Sequence, residues 1–591
     1  MDKIKPDIIS FWALVSIPLF LIGCSDNIAS SELDSHAPPD TSVSSDSVAD
    51  TDSATGIQVS SDNVIVSSTD SSTDTVADAV VDTATHPPLA FATMPNFKGN
   101  DNTSAPLAGI LSLETNQTAQ LTISVTSADG ESWTLQRTAG PGLTEPILGL
   151  KPQTTYTVSV TASVNDQQIT ENAGEWTTPA LPDSFPRLQI ISSNAARMEP
   201  GMIMFNPWND VNSDDKPLVV VDNSGTVRWF YDGAPVFDDH HLLANGNVLF
   251  APDECLMQEV DMLGNTVRSW VAVSHPVECD APKNAIPVAI DSFHHAMDML
   301  HNGNFLVLSS EMREVENFPT SEESADADIA TERVMGSIIV EFTPDGQIIK
   351  YIPLLDLLDP TRIGRGVLRD SWSLLNKYRL DGDRPKDWDH ANALIYDEAE
   401  DAYYVSVRHQ DAIIKVNRTA ETLEWILGTP ANWQSPWAEK LLAPKGEIQW
   451  FFHQHAVTFT DRGLGLYDNG NYGAPAFEPE KDAVYSRAVL FSIDETAGTA
   501  SQIWAYGPPS GEADSVYSRA MGNADFEATT TGNVLISNGW ASGGPVGTYS
   551  RIVEVTEAGE IVFELLLQGD DEEDDKRYAM HRARRIADLR Q

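Results

Sequence analysis

Six copies of one strand, turn, strand pattern restrict the fold of this sequence more than any other feature. Each copy begins with an apolar strand, continues through a polar turn and ends near an aromatic or large apolar residue. The copies are residues 218–229, 259–270, 338–351, 413–425, 489–504 and 552–563. A second strand, turn, strand element precedes five of them, at 241–250, 295–308, 390–407, 455–467 and 524–536.

Two hairpins in each repeat make a four-stranded unit, and six such units bury their faces best when they close into a ring. The sequence therefore predicts a six-bladed β-propeller over residues 183–591. The repeats are unevenly spaced, and we expect the long insertions at 276–291 and 317–331 to be loops at the mouth of the ring.

Short alternating strands separated by turn residues also fill residues 89–182, which predicts a small fibronectin-like β-sandwich. Within it, Gly149 to Tyr156 matches the segment that carries the corner tyrosine of such sandwiches, whose phenol bonds to the backbone upstream. The expected fold class is thus all-β, with an N-terminal β-sandwich followed by a six-bladed β-propeller.

The first 88 residues are not predicted to join either fold. Lys3 and Lys5 precede an apolar run at 8–22 that ends in Leu21-Ile22-Gly23-Cys24, the pattern of a lipoprotein signal peptide at 1–24 with Cys24 as the lipidated residue. The alternative is a helix buried in the fold. Residues 25–88 are rich in Asp, Ser and Thr and predict a disordered acidic linker. We therefore expect an exported head tethered to a bacterial membrane, with the lipid as its only membrane contact.

Charge and cysteine content limit the partners. A formal net charge of −50 argues against nucleic-acid binding, which needs clustered Lys and Arg. With Cys24 assigned to lipid, only Cys255 and Cys279 remain, and they either pair as a disulfide in an oxidising compartment or are two buried thiols. The sequence is compatible with a homodimer and does not fix the oligomeric state or which membrane holds the anchor.

Histidines recur at the start of the strand that should be innermost in each repeat, at His240-His241, His294-His295, His390 and His453-Gln454-His455. Inner strands of a propeller line its central channel, so these side chains should converge. An imidazole cluster is consistent with a metal site, with acid/base chemistry, or with an anion pocket in which one imidazole is a nucleophile.

Arg408 ends the hairpin that begins at His390 and should approach the same channel. Its permanent positive charge disfavours a divalent metal and favours an oxyanion. The alternative for Arg408 is a structural ion pair. Nearby aromatic residues could form walls for a flat ring or belong to the core, and these are Trp388, Trp450, Phe451, Phe452 and Tyr467.

Several segments resemble the bacterial arylsulfotransferase family. They are Asp387-Trp-Asp-His-Ala-Asn-Ala-Leu394, Ser406-Val-Arg-His-Gln-Asp-Ala-Ile-Ile-Lys415, Glu424-Trp-Ile-Leu-Gly428, Gln454-His-Ala-Val457, Tyr467-Asp-Asn-Gly-Asn471 and His301-Asn-Gly-Asn304. The N-terminal sandwich of that family is similar to this chain around Ala105-Pro-Leu-Ala108 and Ile147-Leu-Gly-Leu150, so the resemblance extends from about residue 95 to the C-terminus.

The resemblance implies a ping-pong transfer of a sulfuryl group from an aryl sulfate to a phenol, without a cofactor or metal. The matching nucleophile is His455, and His295, His390 and Arg408 would surround the sulfuryl oxygens. The lipobox, the acidic tether and Val407 within the Ser-x-Arg motif depart from the family pattern. Two rival hypotheses are a propeller metalloenzyme or quinoprotein that uses the histidines as ligands, and a tethered binding propeller without catalysis.

Overall fold

The computed structural model describes residues 87–140, 142–209, 216–236, 238–368, 385–544, 547–568 and 577–591. Residues 85–591 belong to one compact unit. The predicted signal peptide, Cys24 and all but the last two residues of the predicted linker lie outside the described residues, and the domain boundaries remain predictions. No helix among the described residues is both long and apolar enough to cross a membrane.

Two sheets at the start of the described chain enclose one apolar core. One sheet has the order β1-β2-β5 and the other β4-β3-β6-β7. Alternate residues point into the shared core, among them Leu111 and Ile123. The Lys151 N–H donates to the Tyr156 hydroxyl at 2.8 Å, the upstream backbone contact that the sequence predicts. The strands are β1 Phe91–Gly99, β2 Gly109–Thr115, β3 Ala119–Ser127, β4 Ser132–Ala139, β5 Leu143–Ile147, β6 Thr155–Val164 and β7 Gln167–Thr177.

The rest of the described chain is also almost entirely β-structure, which confirms the predicted all-β class. It contains one short helix, α1 Leu354–Leu357, and two 3-10 turns, Arg408–Gln410 and Trp437–Lys440. The strands are β8 Leu188–Ser193, β9 Met202–Asn209, β10 Leu218–Val221, β11 Val227–Tyr231, β12 His240–Leu242, β13 Val248–Asp253, β14 Leu256–Val260, β15 Thr266–Ala272, β16 Ile286–Val288, β17 His294–Met299, β18 Phe305–Pro319, β19 Ile329–Phe342, β20 Ile348–Pro353, β21 Lys386–Asp387, β22 Ala391–Asp397, β23 Ala402–Val407, β24 Ala412–Asn417, β25 Thr422–Gly428, β26 Ala443–Pro444, β27 His455–Thr460, β28 Gly463–Asp468, β29 Arg487–Asp494, β30 Thr499–Tyr506, β31 Asn523–Asp525, β32 Val534–Gly544, β33 Gly547–Val555, β34 Ile561–Leu567 and β35 Tyr578–Ile586.

These strands form six successive sheets, which we number I to VI. Their strand orders are β11-β10-β9-β35, β12-β13-β14-β15-β16, β17-β18-β19-β20 with β21 on β19, β22-β23-β24-β25, β26-β30-β29-β28-β27, and β31-β32-β33-β34-β8. Sheets I and VI each combine strands from the beginning and the end of residues 188–586. All six repeats identified in the sequence are hairpins of these sheets.

Six apolar cores join the sheets in a closed series. Successive cores lie between sheets I and II, II and III, III and IV, IV and V, and V and VI, and a sixth lies between VI and I. In β10, Val219 and Val221 pack toward sheet VI while Val220 packs toward sheet II. Because each sheet lies between two others, its middle strands are apolar on both faces.

Two segments expected to be loops are loops over most of their length and contain short stretches of strand. In 317–331, pairing of β18 with β19 continues through Phe318↔Ala330, and residues 320–328 form the loop between these strands. In 276–291, the strand residues are those of β16, which pairs in parallel with β15. The loop prediction was wrong at the strand residues, because ladder pairing there satisfies the backbone groups that an open loop would leave to water.

Candidate functional site

Four histidines from four sheets converge, and each lies at or near the start of a strand. The ring centroids of His295 and His390 are 5.0 Å apart, and those of His295 and His581 are 6.0 Å apart. Burial and the charge of Arg408 lower the pKa of His455 most, and His390 and His581 lie close enough for their charges to lower it further. All four side chains are buried. The four residues come from β17, the turn before β22, β27 and β35, and we call them the histidine cluster.

The backbone at these strand starts is irregular. Pairing shifts register between His294 and Met297, Ala391 and Ala393, His455 and Thr458, and Met580 and Ala583. Residues with positive φ occur at the same places, with 55° at His295, 45° at His390 and 58° at Ala456. Bulges turn side chains away from their regular direction, and left-handed conformations of non-glycine residues are energetically costly. The strand starts are therefore shaped to point side chains at a common space.

His455 is held in a single tautomer. Its Nδ1 lies 2.7 Å from the Asn469 Oδ1, and the Asn469 amide nitrogen donates to the carbonyl oxygens of Ser518 at 2.7 Å and Met521 at 2.9 Å. Since both of those partners can only accept, the amide orientation is fixed and its oxygen must accept a proton from Nδ1. The His455 Nε2 consequently carries the lone pair, and the Met521 N–H donates to it at 3.2 Å.

The environment also keeps His455 neutral. Burial, reinforced by the charge of Arg408, holds the pKa of His455 well below its ordinary value of 6.5. A neutral imidazole with its lone pair on Nε2 is the form that can act as a nucleophile, and a substrate sulfur would take the place of the Met521 N–H at that lone pair.

Arg408 lies in the 3-10 turn that follows β23 and is buried beside the cluster. Its Nη1 donates to the His409 Nε2 at 2.5 Å, and the His409 Nδ1 donates to the Asp387 carbonyl oxygen at 2.6 Å. His409 thus holds the Arg408 guanidinium in place. Arg408 brings a permanent positive charge to the histidine cluster, as the sequence predicts.

His390 forms a dyad with Asp387, whose Oδ2 lies 2.5 Å from the His390 Nδ1. Burial lowers the pKa of His390, and Asp387 opposes that shift. Since the carboxylate accepts from Nδ1, the His390 Nε2 can accept or deliver a proton. This is the arrangement of a general acid or base.

His295 is oriented by its neighbour His294. The His294 Nε2 lies 3.0 Å from the Ser309 carbonyl oxygen, and the two Nδ1 atoms of His294 and His295 are 3.0 Å apart. A carbonyl can only accept, so the His294 Nε2 carries its proton and the proton between the rings belongs to His295. Burial, followed by the charge of His390, keeps the pKa of His295 well below 6.5.

Asp387, His390 and His409 have ligand atoms within 4.8 Å of one another, as a metal site would require. However, the His409 Nε2 already accepts from Arg408 and its Nδ1 donates to Asp387. A cation bound here would lie next to the positively charged guanidinium of Arg408. Its binding would also break the hydrogen bonds that His409 makes with Arg408 and Asp387. The donor set therefore fits an anion better than a divalent metal.

A cavity of about 970 Å³ lies at the other ends of β17, β22 and β27, away from the histidine cluster. Carboxylates and aromatic rings line it, including Asp397, Tyr404 and Phe459. The carboxylates take part in local structure: the Glu495 Oε1 accepts from Lys415 at 2.7 Å, and the Asp397 Oδ1 accepts from the Ala399 N–H. None of the site residues predicted from the sequence lines this cavity.

The structure brings together all four residues predicted for the site, His295, His390, Arg408 and His455. His453 lies outside the histidine cluster: its ring contacts the Arg365 carbonyl oxygen at 2.7 Å and lies beside His409, with ring centroids 5.2 Å apart. His241 belongs to a separate ion network with Asp239 and Arg584. Of the aromatic residues considered as walls, Trp388 and Tyr467 are fully buried in apolar cores, as the structural alternative expects.

Sequence reasoning missed His581, His409 and Asp387 as members of the site. His581 escaped because its strand pairs with β9 from the other end of the chain rather than with a neighbouring hairpin. The available signal was local: alanine follows His295, His390 and His455 directly, and follows His581 after one arginine.

Cys255 and Cys279 form a disulfide, with their Cα atoms 5.9 Å apart. This is one of the two outcomes that the sequence allows. The bond joins the β13–β14 turn to the segment before β16, within sheet II, which contributes no residue to the histidine cluster.

The family model described as "Arylsulfotransferase (ASST)" matches residues 188–578. Two curated relatives are both named arylsulfate sulfotransferase AssT. The one from Escherichia coli O6:H1 is 28% identical over 211 residues, and the one from Lelliottia amnigena is 30% identical over 213 residues. Each alignment covers 29% of this chain and 35% of the relative, so the match spans about a third of those proteins.

Two solved structures are distantly similar to this chain. BamB from Moraxella catarrhalis aligns with 69% of this chain and 82% of its own, and an auxiliary nutrient binding protein from Bacteroides thetaiotaomicron aligns with 82% and 98%. Both are 9% identical with a TM-score of 0.25, a level from which we draw nothing about fold or function.

Proposed function

We propose that this chain, which belongs to the arylsulfotransferase family because the family model spans residues 188–578, transfers a sulfuryl group from an aryl sulfate ester to an acceptor phenol. The observation that carries the proposal is the neutral His455, which Asn469 holds in the tautomer with the lone pair on Nε2 and which lies close enough to Arg408 for that charge to lower its pKa after burial. A nucleophile next to a fixed cation suits an electrophile that carries negatively charged oxygens.

In the proposed first half-reaction, the His455 Nε2 attacks the sulfur of the aryl sulfate. A nitrogen–sulfur bond forms, the bond from sulfur to the aryl oxygen breaks, and the oxygen leaves with the electron pair as a phenolate. That phenolate takes a proton from the Nε2 of protonated His390, the form that the Asp387 carboxylate stabilises. In the second half-reaction the neutral His390 takes the proton of the acceptor phenol, whose oxygen attacks the sulfur and releases His455.

Arg408 stabilises this reaction electrostatically. The transition state carries negative charge on the outer sulfuryl oxygens and on the departing oxygen, and a preorganised buried cation acts strongly there. Burial, and after it the same charge, lower the pKa of His455 and so keep it deprotonated between turnovers. One residue thus supports both the reactive form of the nucleophile and the charge of the transferred group.

We also propose that sheets I to VI are the blades of a closed six-bladed propeller whose central channel holds the histidine cluster, and that β1 to β7 form a β-sandwich. The closed series of six cores supports the ring. For location, we propose export and lipid attachment through Cys24, on the strength of the signal pattern. The Cys255–Cys279 disulfide is compatible with an oxidising compartment.

The purified protein should release 4-nitrophenolate from 4-nitrophenyl sulfate and form phenyl sulfate when phenol is supplied. A ping-pong mechanism predicts parallel lines in double-reciprocal plots against both substrates. Without acceptor, release should stop at about one equivalent per site. If phenol leaves the release unchanged and no phenyl sulfate forms, the proposed function is wrong.

Asn469→Asp should change the pH dependence. A carboxylate next to Nδ1 favours the imidazolium, so it raises the pKa of His455. In the wild type that pKa is lowered, which keeps the acid limb of kcat/KM below pH 6.5. The acid limb should move to higher pH in the variant. Once the limb lies above pH 6, kcat/KM measured at pH 6 should fall roughly tenfold for each pKa unit of further movement. The measurement is kcat/KM from pH 4.5 to 9, with Asn302→Asp, in the turn at the far end of β17, as the control. Superimposable profiles of Asn469→Asp and wild type would count against the tautomer assignment.

A further inference from the structure

His581 is the member of the histidine cluster for which neither the sequence nor the family match suggests a role. It lies at the bulge near the start of β35, the strand that completes sheet I from the C-terminal end of the chain. The side chain is 2% exposed. Its ring faces His295 at a centroid distance of 6.0 Å, and its charge state is coupled to that of His455.

Neither ring nitrogen of His581 has a hydrogen-bond partner among the described residues. The other three rings of the cluster each bond through Nδ1, to His294, Asp387 and Asn469. A buried polar group without a partner is destabilising, and an apolar side chain of similar size would fill the position at lower cost. The position therefore suits a group that finds its partner in a bound ligand.

The protonation of the cluster indicates what this ligand is. Burial, followed by the charge of Arg582, holds the pKa of His581 well below 6.5, so the ring is neutral and carries one N–H and one lone pair. His295, His390 and His455 use their Nδ1 protons on their own neighbours. In their neutral forms, these three rings present only an Nε2 lone pair to a ligand bound between them. The neutral His581 ring also has an N–H that donates to no described residue.

A sulfuryl or sulfate group presents only acceptor oxygens and needs donors around it. Arg408 follows β23 of sheet IV and its charge acts on both His390 and His455, while the Met521 N–H is bonded to the His455 Nε2. His581 belongs to sheet I, with its ring centroid 6.0 Å from that of His295. We propose that the His581 N–H donates a hydrogen bond to an oxygen of the bound sulfuryl group and completes its binding site. This inference rests on the proposed function and concerns the same site.

The experiment compares His581→Ala and His581→Asn with the wild type in two assays. The first measures the dissociation constant for inorganic sulfate by calorimetry. The second measures kcat/KM for 4-nitrophenyl sulfate and for phenyl sulfate, whose leaving phenols differ in basicity. His301→Ala, at the exposed far end of the β17–β18 hairpin, controls for the loss of an imidazole, and thermal unfolding confirms that each variant is folded.

Loss of a hydrogen bond to a charged group should weaken sulfate binding by about 10- to 100-fold in His581→Ala. The kcat/KM values should fall by a similar factor for both donors, and His581→Asn, which keeps an N–H, should recover part of the loss. A folded His581→Ala that binds sulfate as the wild type does would overturn the inference. So would a loss that grows steeply with the basicity of the leaving phenol, because that pattern would make His581 a proton donor to the leaving oxygen instead.

The sulfate arm separates this inference from the proposed function. If the wild type transfers no sulfuryl group but binds sulfate through His581, the proposed function fails while the anion site stands. If transfer proceeds and the His581 variants match the wild type, only the inference fails.

Discussion

Replacing His455 by alanine is expected to reduce sulfuryl transfer from 4-nitrophenyl sulfate to phenol by at least about 10⁴-fold. The proposed reaction passes through a covalent bond to the His455 Nε2, and removal of a nucleophile in comparable two-step enzymes costs this much or more. The substitution leaves Arg408 and His390 in place, so the loss measures the covalent route alone. Single-turnover release of 4-nitrophenolate and formation of phenyl sulfate are the two readouts.

His453→Ala is a matched control, since it removes a buried imidazole two residues earlier on the same segment. That ring contacts the Arg365 carbonyl oxygen and does not belong to the histidine cluster, so transfer should stay within about tenfold of wild type. A second readout is covalent labelling. Incubation with aryl [³⁵S]sulfate should label the wild type and His453→Ala but not His455→Ala. Equal labelling of all three proteins would remove His455 from the nucleophile role.

The repeat pattern made most of the fold predictable. Apolar strands with turn residues between them recur in the sequence because each sheet packs between two others and needs apolar side chains on both faces. The exceptions were sheets I and VI, in which β35 pairs with β9 and β34 pairs with β8. β35 begins at Tyr578, far along the chain from β11, which ends at Tyr231, and no local sequence pattern predicts pairing between strands so far apart.

The sequence could predict that the four site residues lie together, because residues at equivalent positions in different repeats lie at equivalent positions around the histidine cluster. What the sequence could not supply was the hydrogen bonding that assigns protons. The Asn469 side chain fixes the His455 tautomer only because two backbone carbonyls hold its amide, and these come from a segment about fifty residues away. Asp387 and His409 were likewise missed as supports of His390 and Arg408, because their contacts depend on backbone conformation rather than on spacing.

The second large effect is expected at Arg408. Arg408→Met should reduce kcat/KM for 4-nitrophenyl sulfate by about 10²- to 10³-fold, the usual cost of removing one preorganised charge that stabilises a transition state. Arg408→Lys keeps the charge but not the planar array of donors. Its kcat/KM should therefore lie between those of the wild type and Arg408→Met, about tenfold below the wild type. Arg418→Met, which removes an arginine at the distant cavity, controls for general loss of positive charge.

The pH profile of Arg408→Met then distinguishes an electrostatic role from a merely structural one. Arg408 lowers the pKa of His455, so its removal lets that pKa rise toward the ordinary value of 6.5. The acid limb of kcat/KM should therefore shift to higher pH in Arg408→Met and stay near its original position in Arg408→Lys. A disordered site would lower activity equally at every pH and leave the acid limb where it is. If folded Arg408→Met shows an unshifted acid limb of kcat/KM, Arg408 acts only by holding His409 and its neighbours in place.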